Sequence, residues 1–240
     1  MQFDSGKEHF YILDAKSTTH EDFEILGATF DTKLKMNKEI FKVSCEVSRK
    51  MRALLRVRKF YSVVALIRLY KAHVLPYAER SIPAIFHAPP NSFACLDCVQ
   101  GNFLDELQVS NKDALFKFNL APLSTRRDIC MLGLLHRTQL GVAPPVLSSF
   151  FPKAKSTLFK FSVSSVPSHN RQIACYVTPS SSIAFQRSVF GLVRVYNKLP
   201  AEIVAAPSAS IFQRRLQTFL KQRVEDGIVD WHCIFRAVQK

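Results

Sequence analysis

The sequence predicts a mainly helical fold preceded by a short β-hairpin, and three observations carry that prediction. From about residue 34 onward, apolar residues recur at three- and four-residue steps, the period of a helix that buries one face. Several of these runs begin just after a serine, a good helix N-cap. Only the first 30 residues read as strand. The composition agrees. Of 240 residues, 48% are hydrophobic, enough to bury a core, and 20 Phe against 7 Gly and 1 Trp suits packed helices better than a Gly-rich β-sandwich. The length allows one large domain or two small ones.

The elements follow in order. Phe10, Tyr11, Ile12 and Leu13 form a short apolar strand. A polar turn runs from Lys16 to Asp22, and Phe23, Ile25, Ala28 and Phe30 surround Gly27 in a second strand. Two strands and a turn suggest a hairpin. Residues 34–59 read as a long amphipathic helix, with Met36, Ile40, Val43, Val47, Met51 and Leu54 on one side. A second helix starts after Ser62 with Val63, Leu66, Ile67, Tyr70 and Val74, and Pro76 kinks or ends it. Further helices are expected over 93–107 after Ser92, 111–118 after Ser110, and 125–140 after Ser124. Gly141 sits where a C′ glycine belongs, and Pro144 with Pro145 prevents continuation. Residues 153–183 are Ser-rich, with Lys153, Lys155 and Lys160, and read as a linker of weak β potential. Helical periodicity returns over 184–199 and 209–225. The expected organisation is a hairpin over 1–33, a helical domain over 34–152, the linker, and a C-terminal helical region over 184–240.

The charge points to a partner. The chain carries a formal net charge of +14 and a pI near 9.7. Such an excess implies a polyanion, either nucleic acid or an acidic membrane surface. No apolar run reaches the roughly 18 residues that a membrane span needs. The N-terminus, MQFDSGKEHF, has no basic start followed by an apolar stretch, so it does not read as a secretory signal. Six cysteines in a chain this long do not make a disulfide framework. An intracellular, reducing compartment is expected, with nucleus and cytoplasm both open, and nucleic acid rather than a membrane is the expected partner.

The cations are concentrated. Lys33, Lys35, Lys38, Lys42, Arg49, Lys50, Arg52, Arg56, Arg58 and Lys59 face only Glu39 and Glu46, so ten bases and two acids leave +8 over residues 33–59. Lys35, Lys38, Lys42, Arg49, Arg52, Arg56 and Lys59 are spaced by three, four or seven, which places them on one stripe opposite the apolar face. Arg68 and Lys71 of the next helix extend the set. A row of this kind suits a phosphate backbone, and it gives affinity and salt dependence rather than sequence specificity. An ordinary surface helix would interleave acids with bases as i,i+4 pairs.

Catalytic constellations are missing. Two-metal nucleotidyl transfer needs converging carboxylates, and the chain has no Asp-Asp pair. It has no P-loop, HExxH or GxSxG motif. Its acids are scattered, and Asp128 reads as a partner of Arg126 and Arg127. Cys95-x-x-Cys98 is the one metal-like spacing, but structural zinc needs four ligands and no second pair exists. The seven histidines show no ligand spacing and read as surface or core-edge residues.

The order of motifs resembles the region downstream of the catalytic site in reverse transcriptases of non-LTR (LINE-type) retrotransposons. MQFDSGKEHFYILD looks like the stretch that follows the catalytic Asp pair, and FEILGATFDTKLKM like the primer-grip hairpin. RLYKAHVLPYAE and LDCVQGNFL look like thumb segments. APLSTRRDICMLGLLHRTQLG and SVFGLVRVYNKLPAEIVAAPSASIFQRRLQTFL look like the helical region beyond them. The likeness spans about residues 1–221, in order. Tyr196 stands where the family usually has Trp, and the fingers, most of the palm and the Asp pair would lie before Met1. The resemblance implies a helical, thumb-like array with three sets of roles. Lys7 would lie near the incoming nucleotide. Phe23, Leu26 and Gly27 would form the primer-grip turn, with Gly27 letting a strand backbone approach. The basic helix would be the first thumb helix, tracking the template–primer duplex. It also implies Mg2+ for the complete enzyme and a palm-and-fingers segment as partner. On this reading the chain itself has no catalytic residue or cofactor. A non-catalytic protein-interaction or anionic-surface module, or a retroelement remnant without activity, are the alternatives.

Overall fold

The computed structural model describes residues 2–3, 10–12, 15–17, 22–154, 169–178 and 180–236, the first three stretches as backbone alone. Strands β1 (Gln2–Phe3), β2 (Phe10–Ile12) and β3 (Ala15–Ser17) form an antiparallel sheet in that order. Strands β4 (Asp22–Ile25) and β5 (Ala28–Asp31) form a separate hairpin, pairing Phe23 with Phe30 and Ile25 with Ala28. The pairing differs from the sequence expectation. Residues 23–30 are not one strand against 10–13. They fold back on themselves, because Leu26 and Gly27 both adopt positive φ, at 50° and 80°. That is the backbone of a two-residue hairpin turn whose twist matches its strands.

The rest is helical: α1 (Asn37–Arg56), α2 (Val63–His73), α3 (Leu75–Glu79), α4 (Ile82–Ile85), α5 (Ala94–Glu106) and α6 (Asn111–Phe118) come first. Then follow α7 (Leu123–Gln139), α8 (Pro145–Ser149), α9 (Ile183–Arg187), α10 (Val189–Asn197), α11 (Ala201–Val204) and α12 (Ala209–Glu225). Short 3-10 turns lie at Arg58–Phe60, Pro90–Phe93 and Trp231–Cys233.

Local chemistry sets the boundaries. The side-chain oxygens of Ser62 and Ser110 accept from the N–H groups of Ala65 and Asp113, capping α2 and α6 as the sequence predicts. Such a cap contributes ~1 kcal/mol. Pro76 lacks the N–H that a continuous helix would donate to Ala72, and the chain breaks between α2 and α3. The helix expected over 184–199 is two helices. Ser188 donates to the Phe185 carbonyl at 2.7 Å and accepts from the Phe190 N–H at 3.3 Å, ending one helix and capping the next. Gly141 closes α7 at φ 73°.

Two apolar cores result. The first joins α1, α2, α3 and α5 through Ile40, Val43, Val47, Leu66, Ile67, Tyr70, Ala78, Leu96 and Phe103, all almost wholly buried. Each of the larger side chains stabilises the fold by ~1.5–3 kcal/mol. The rings of Tyr70 and Phe103 stack at 4.5 Å. The second joins α7, α10 and α12 through Leu132, Leu135, Leu192, Tyr196, Phe212, Leu216 and Leu220. Helix α7, placed by the sequence within 34–152, thus packs its core face with the C-terminal helices. Part of the expected linker is packed too. Lys153 and Ile173 form an isolated antiparallel bridge, and His169, Ile173 and Val177 are buried. Residues 155–168 of that segment lie outside the described residues.

Candidate nucleic-acid interface

The candidate interface is built on α1, and its foundation is the connection from the hairpin. Asp31 ends β5, and its carboxylate accepts from the N–H groups of Lys33 and Lys35, each at 3.0 Å, and of Met36 at 2.6 Å. Met36 is the N-cap residue of α1 and has no side-chain cap of its own. Asp31, five residues upstream, fixes the approach to the helix by accepting from the Met36 N–H itself. Burial pushes the Asp31 carboxyl up, but the N–H groups of Lys35, Met36 and Lys33 outweigh it and leave it below its ordinary value. Leu34 and Met36 are held at positive φ, 51° and 59°, within the loop that these bonds fix.

The two acids of α1 both bond to other elements, Glu39 buried and Glu46 half-buried. Glu39 is 1% exposed and accepts from the Thr29 N–H of β5 at 3.0 Å and the Ser81 hydroxyl at 3.1 Å. It anchors hairpin, α1 and the start of α4 together, and its carboxylate also lies 3.9 Å from the Lys42 ammonium of the stripe. Glu46 accepts from Arg80 at 2.7 Å. Lys50, outside the stripe, places its ammonium 3.7 Å from the centre of the Tyr77 ring. The acids therefore neutralise partners within the fold, and the outer face of α1 is left to bases.

On that face Lys35, Lys38, Lys42, Arg49, Arg52, Arg56 and Lys59 are all exposed, and Ile40, Val43, Val47 and Met51 lie buried on the other side. At about 1.5 Å per residue the row from Lys38 to Arg56 spans roughly 27 Å, about eight base pairs of duplex. Its two ends differ. Near the hairpin, Lys38 pairs with Asp22, while Lys42 lies 3.8 Å from Glu24 and donates to the Gly27 carbonyl at 3.2 Å. Exposed pairs of this kind contribute only ~0–1 kcal/mol and yield readily to a competing anion. Toward the C-terminal end, Arg49, Arg56 and Lys59 have no hydrogen-bond or ion-pair partner among the described residues. The Arg52 Nε donates only to the Ser48 carbonyl, at 3.4 Å. Lys33 and Arg68 are exposed and form no ion pair among the described residues.

Lys71 does not belong with them. It is half-buried and donates to the Phe118 carbonyl at 3.0 Å. Burial, then the charges of Arg126 and Lys221, hold its ammonium below the usual lysine value. It links α2 to the end of α6. Arg58 is held by Glu106. Lys7 lies outside the described residues.

Leu26 and Gly27 form the hairpin turn, brought beside this face by the Lys42 bond to the Gly27 carbonyl, while Phe23 lies on β4 with its ring stacked on Phe30 at 5.5 Å. Leu26 is fully exposed at the tip. A Cβ at Gly27 would meet nothing within 4 Å, so the glycine answers the positive φ rather than a close approach within the chain.

Other sequence expectations resolve differently. Arg126 pairs with Glu79, and Arg127 makes a two-pronged pair with Asp97 at 2.6 and 2.8 Å beneath the Phe93 ring. Asp128 is not their hydrogen-bonded partner. It is buried, and burial pushes its carboxyl up to about 7 against the pull of Arg127 and Arg236, with Asp97 adding to the push. His136 is a core residue rather than a surface one. Its Nε2–H donates to the Ala206 carbonyl, its Nδ1 accepts from the Tyr196 hydroxyl, both at 3.0 Å, and Phe212 stacks on it at 4.2 Å. Cys95 and Cys98 are exposed on α5, each directed at a backbone carbonyl close by in the chain. Among the described residues no three His, Cys, Asp or Glu side chains are grouped to hold a metal ion. No helix of the described residues is long and apolar enough to cross a membrane.

No protein-family model matches the chain, no curated protein is significantly similar to it, and no solved structure is significantly similar to its fold.

Proposed function

We propose that the chain binds the backbone of a nucleic-acid duplex along the outer face of α1, in the manner of the thumb of a non-LTR reverse transcriptase, and leaves the chemistry to carboxylates outside these 240 residues. One observation carries the reading. Both acids of α1 bond to other elements of the fold, and Arg49 and Arg56 face solvent with no acid partner among the described residues. Lysines and arginines that neutralise phosphates displace the counterions condensed on the duplex, and that release drives backbone binding. The motif resemblance supplies the duplex as ligand, and the hairpin of Phe23, Leu26 and Gly27 stands beside the face where a grip on the primer belongs.

Titrating an RNA–DNA duplex against the chain across salt tests the reading. Binding is expected to be insensitive to sequence and to weaken steeply as salt rises. Replacing Arg49, Arg52 and Arg56 with Ala should lower the slope of log affinity against log salt by about 0.9 for each phosphate no longer neutralised. A slope unchanged by the three substitutions would refute it.

A second reading rests on the hairpin. Phe23, Ile25 and Leu26 are exposed, as is Phe41 on the first turns of α1. An apolar patch of this kind suits a protein interface, either with the palm of the polymerase or with an unrelated partner.

A further inference from the structure

The turn from α1 into α2 holds two aromatic rings in the open. Phe60 is 82% exposed and Tyr61 50%. Neither ring meets another ring, a cation or a hydrogen-bonding group among the described residues. Hiding a Phe side chain from water is worth ~1.5–3 kcal/mol, so an aromatic pair left outside has forgone that gain. The backbone keeps them there. Arg58–Phe60 is a tight 3-10 turn closed by the Phe60 N–H on the Val57 carbonyl at 3.0 Å. Tyr61 is then extended, with φ −129° and ψ 146°, and Ser62 caps α2 directly after it. The rings project from a segment braced on both sides.

Their surroundings in the chain are wholly basic. Between Glu46 and Glu79 the sequence contains Arg49, Lys50, Arg52, Arg56, Arg58, Lys59, Arg68 and Lys71 and no acidic residue. Arg56 ends α1, Lys59 precedes Phe60, and Arg68 is exposed on α2. The platform therefore sits at the end of the cation row whose bases are least engaged by local partners.

We propose that Phe60 and Tyr61 form a stacking platform for unpaired bases, gripping the single-stranded stretch that continues from a duplex held on α1. The inference rests on the backbone-binding reading of α1 and adds a ligand feature to it. Cations hold a phosphate chain whether paired or not. Exposed rings reward only bases whose faces are free, because duplex bases already stack on one another. Stacking on an aromatic side chain is tolerant of sequence, as the rest of the face is. Arg58 is held by Glu106, but Arg56 and Lys59 have no ion-pair partner among the described residues, and their charge favours a polyanion over a neutral protein surface as occupant.

The test compares the full chain on a blunt RNA–DNA duplex and on the same duplex carrying a short single-stranded extension. The extension should tighten binding by about ten-fold or more, since each stacked base is worth ~1–3 kcal/mol. Phe60→Ala with Tyr61→Ala should abolish that gain and leave blunt-duplex affinity unchanged. Phe60→Trp should keep the gain, and its added fluorescence, measured above that of Trp231, should be quenched by the extended duplex and not by the blunt one. An equal gain in the double Ala variant would overturn the platform while leaving the α1 reading intact. Loss of all duplex binding in the unaltered chain would overturn both. A Trp signal that responds to phosphatidylserine vesicles and not to the extended duplex would assign the rings to a membrane surface and overturn the platform.

Discussion

Helices α1 and α12 each bury one apolar stripe and carry arginines on the remaining surface, and they use those arginines differently. On α12, Arg215 donates to the Glu202 carbonyl of α11. Arg223 lies over the Phe219 ring at 4.8 Å and 3.9 Å from Asp226. These cations serve the fold. On α1 the acids serve the fold and the cations are turned outward. A similar contrast separates the two cores. The first holds Glu39, Ser44, Ser81 and Gln100 among apolar side chains, while the second holds two histidines, His136 and His169, with Asp128, Gln139 and Thr125. Net charge alone does not locate an interface. What locates it is which charges the fold has already used.

The largest expected effect tests the inward acid. Glu39→Ala leaves the Thr29 N–H and the Ser81 hydroxyl without their acceptor. It should destabilise the chain by about 2–4 kcal/mol, seen as a lower urea midpoint, because each stranded buried group costs ~1–3 kcal/mol. A change under ~0.5 kcal/mol, within the range of an ordinary surface substitution, would show that the hairpin is not anchored there.

The second core should confer pH dependence of stability that the first lacks. Burial holds His136 and His169 below the ordinary imidazole value, ahead of the repulsion from Arg171 and against the hydrogen bonds to the Ala206 and Tyr196 carbonyls. A depressed folded-state value means that the unfolded chain takes up protons first. Their contribution is complete above about pH 6.5, the unfolded value, and is lost as pH falls below it. Thermal unfolding from pH 8 to 5 should show the decline, and His136→Gln should reduce it. Asp128 has the opposite sign. Its folded value of about 7 lies above its ordinary 3.8, so its contribution is fullest at low pH and is lost as pH rises through the interval between them. Asp128→Asn should therefore gain stability relative to the unaltered chain as pH rises from about 4 to 8. A difference between the two proteins that stays constant over that range would contradict the burial argument.

The smallest effect concerns the hairpin tip. Leu26 holds φ 50° with its side chain fully exposed. Leu26→Asn creates the favoured Asn-Gly turn and should stabilise the fold by about 0.5–1 kcal/mol, read from the urea midpoint.

Much of this is legible in the sequence because it depends on local order. The 3.6-residue period, the serines at 62 and 110, and the glycine at 141 each act within a few residues. So does the stripe, since its spacing alone sets the face. What escapes depends on distant partners. Glu39 is identified as an anchor only by Thr29 and Ser81, Lys71 as structural only by Phe118, and His136 as core only by Tyr196, Ala206 and Phe212. The short N-terminal hairpin is as expected, and only its turn escapes a reading by periodicity: a leucine at a positive-φ position gives no turn signal of its own, and Gly27 alone reads as lying within a strand. The exposed rings of Phe60 and Tyr61 have a signal, an aromatic pair inside an acid-free basic stretch, that periodicity does not weigh.

The most direct measurement sets the two helices against each other. Duplex affinity is titrated against salt for the unaltered chain, for Arg49→Ala/Arg52→Ala/Arg56→Ala on α1, and for Arg214→Ala/Arg215→Ala/Arg223→Ala on α12. Both variants lose the same charge. If the outer face of α1 holds the duplex, the slope falls by about two to three for the α1 variant and is unchanged for the α12 variant. Equal losses from both helices would show that net charge, and not the face of α1, holds the nucleic acid.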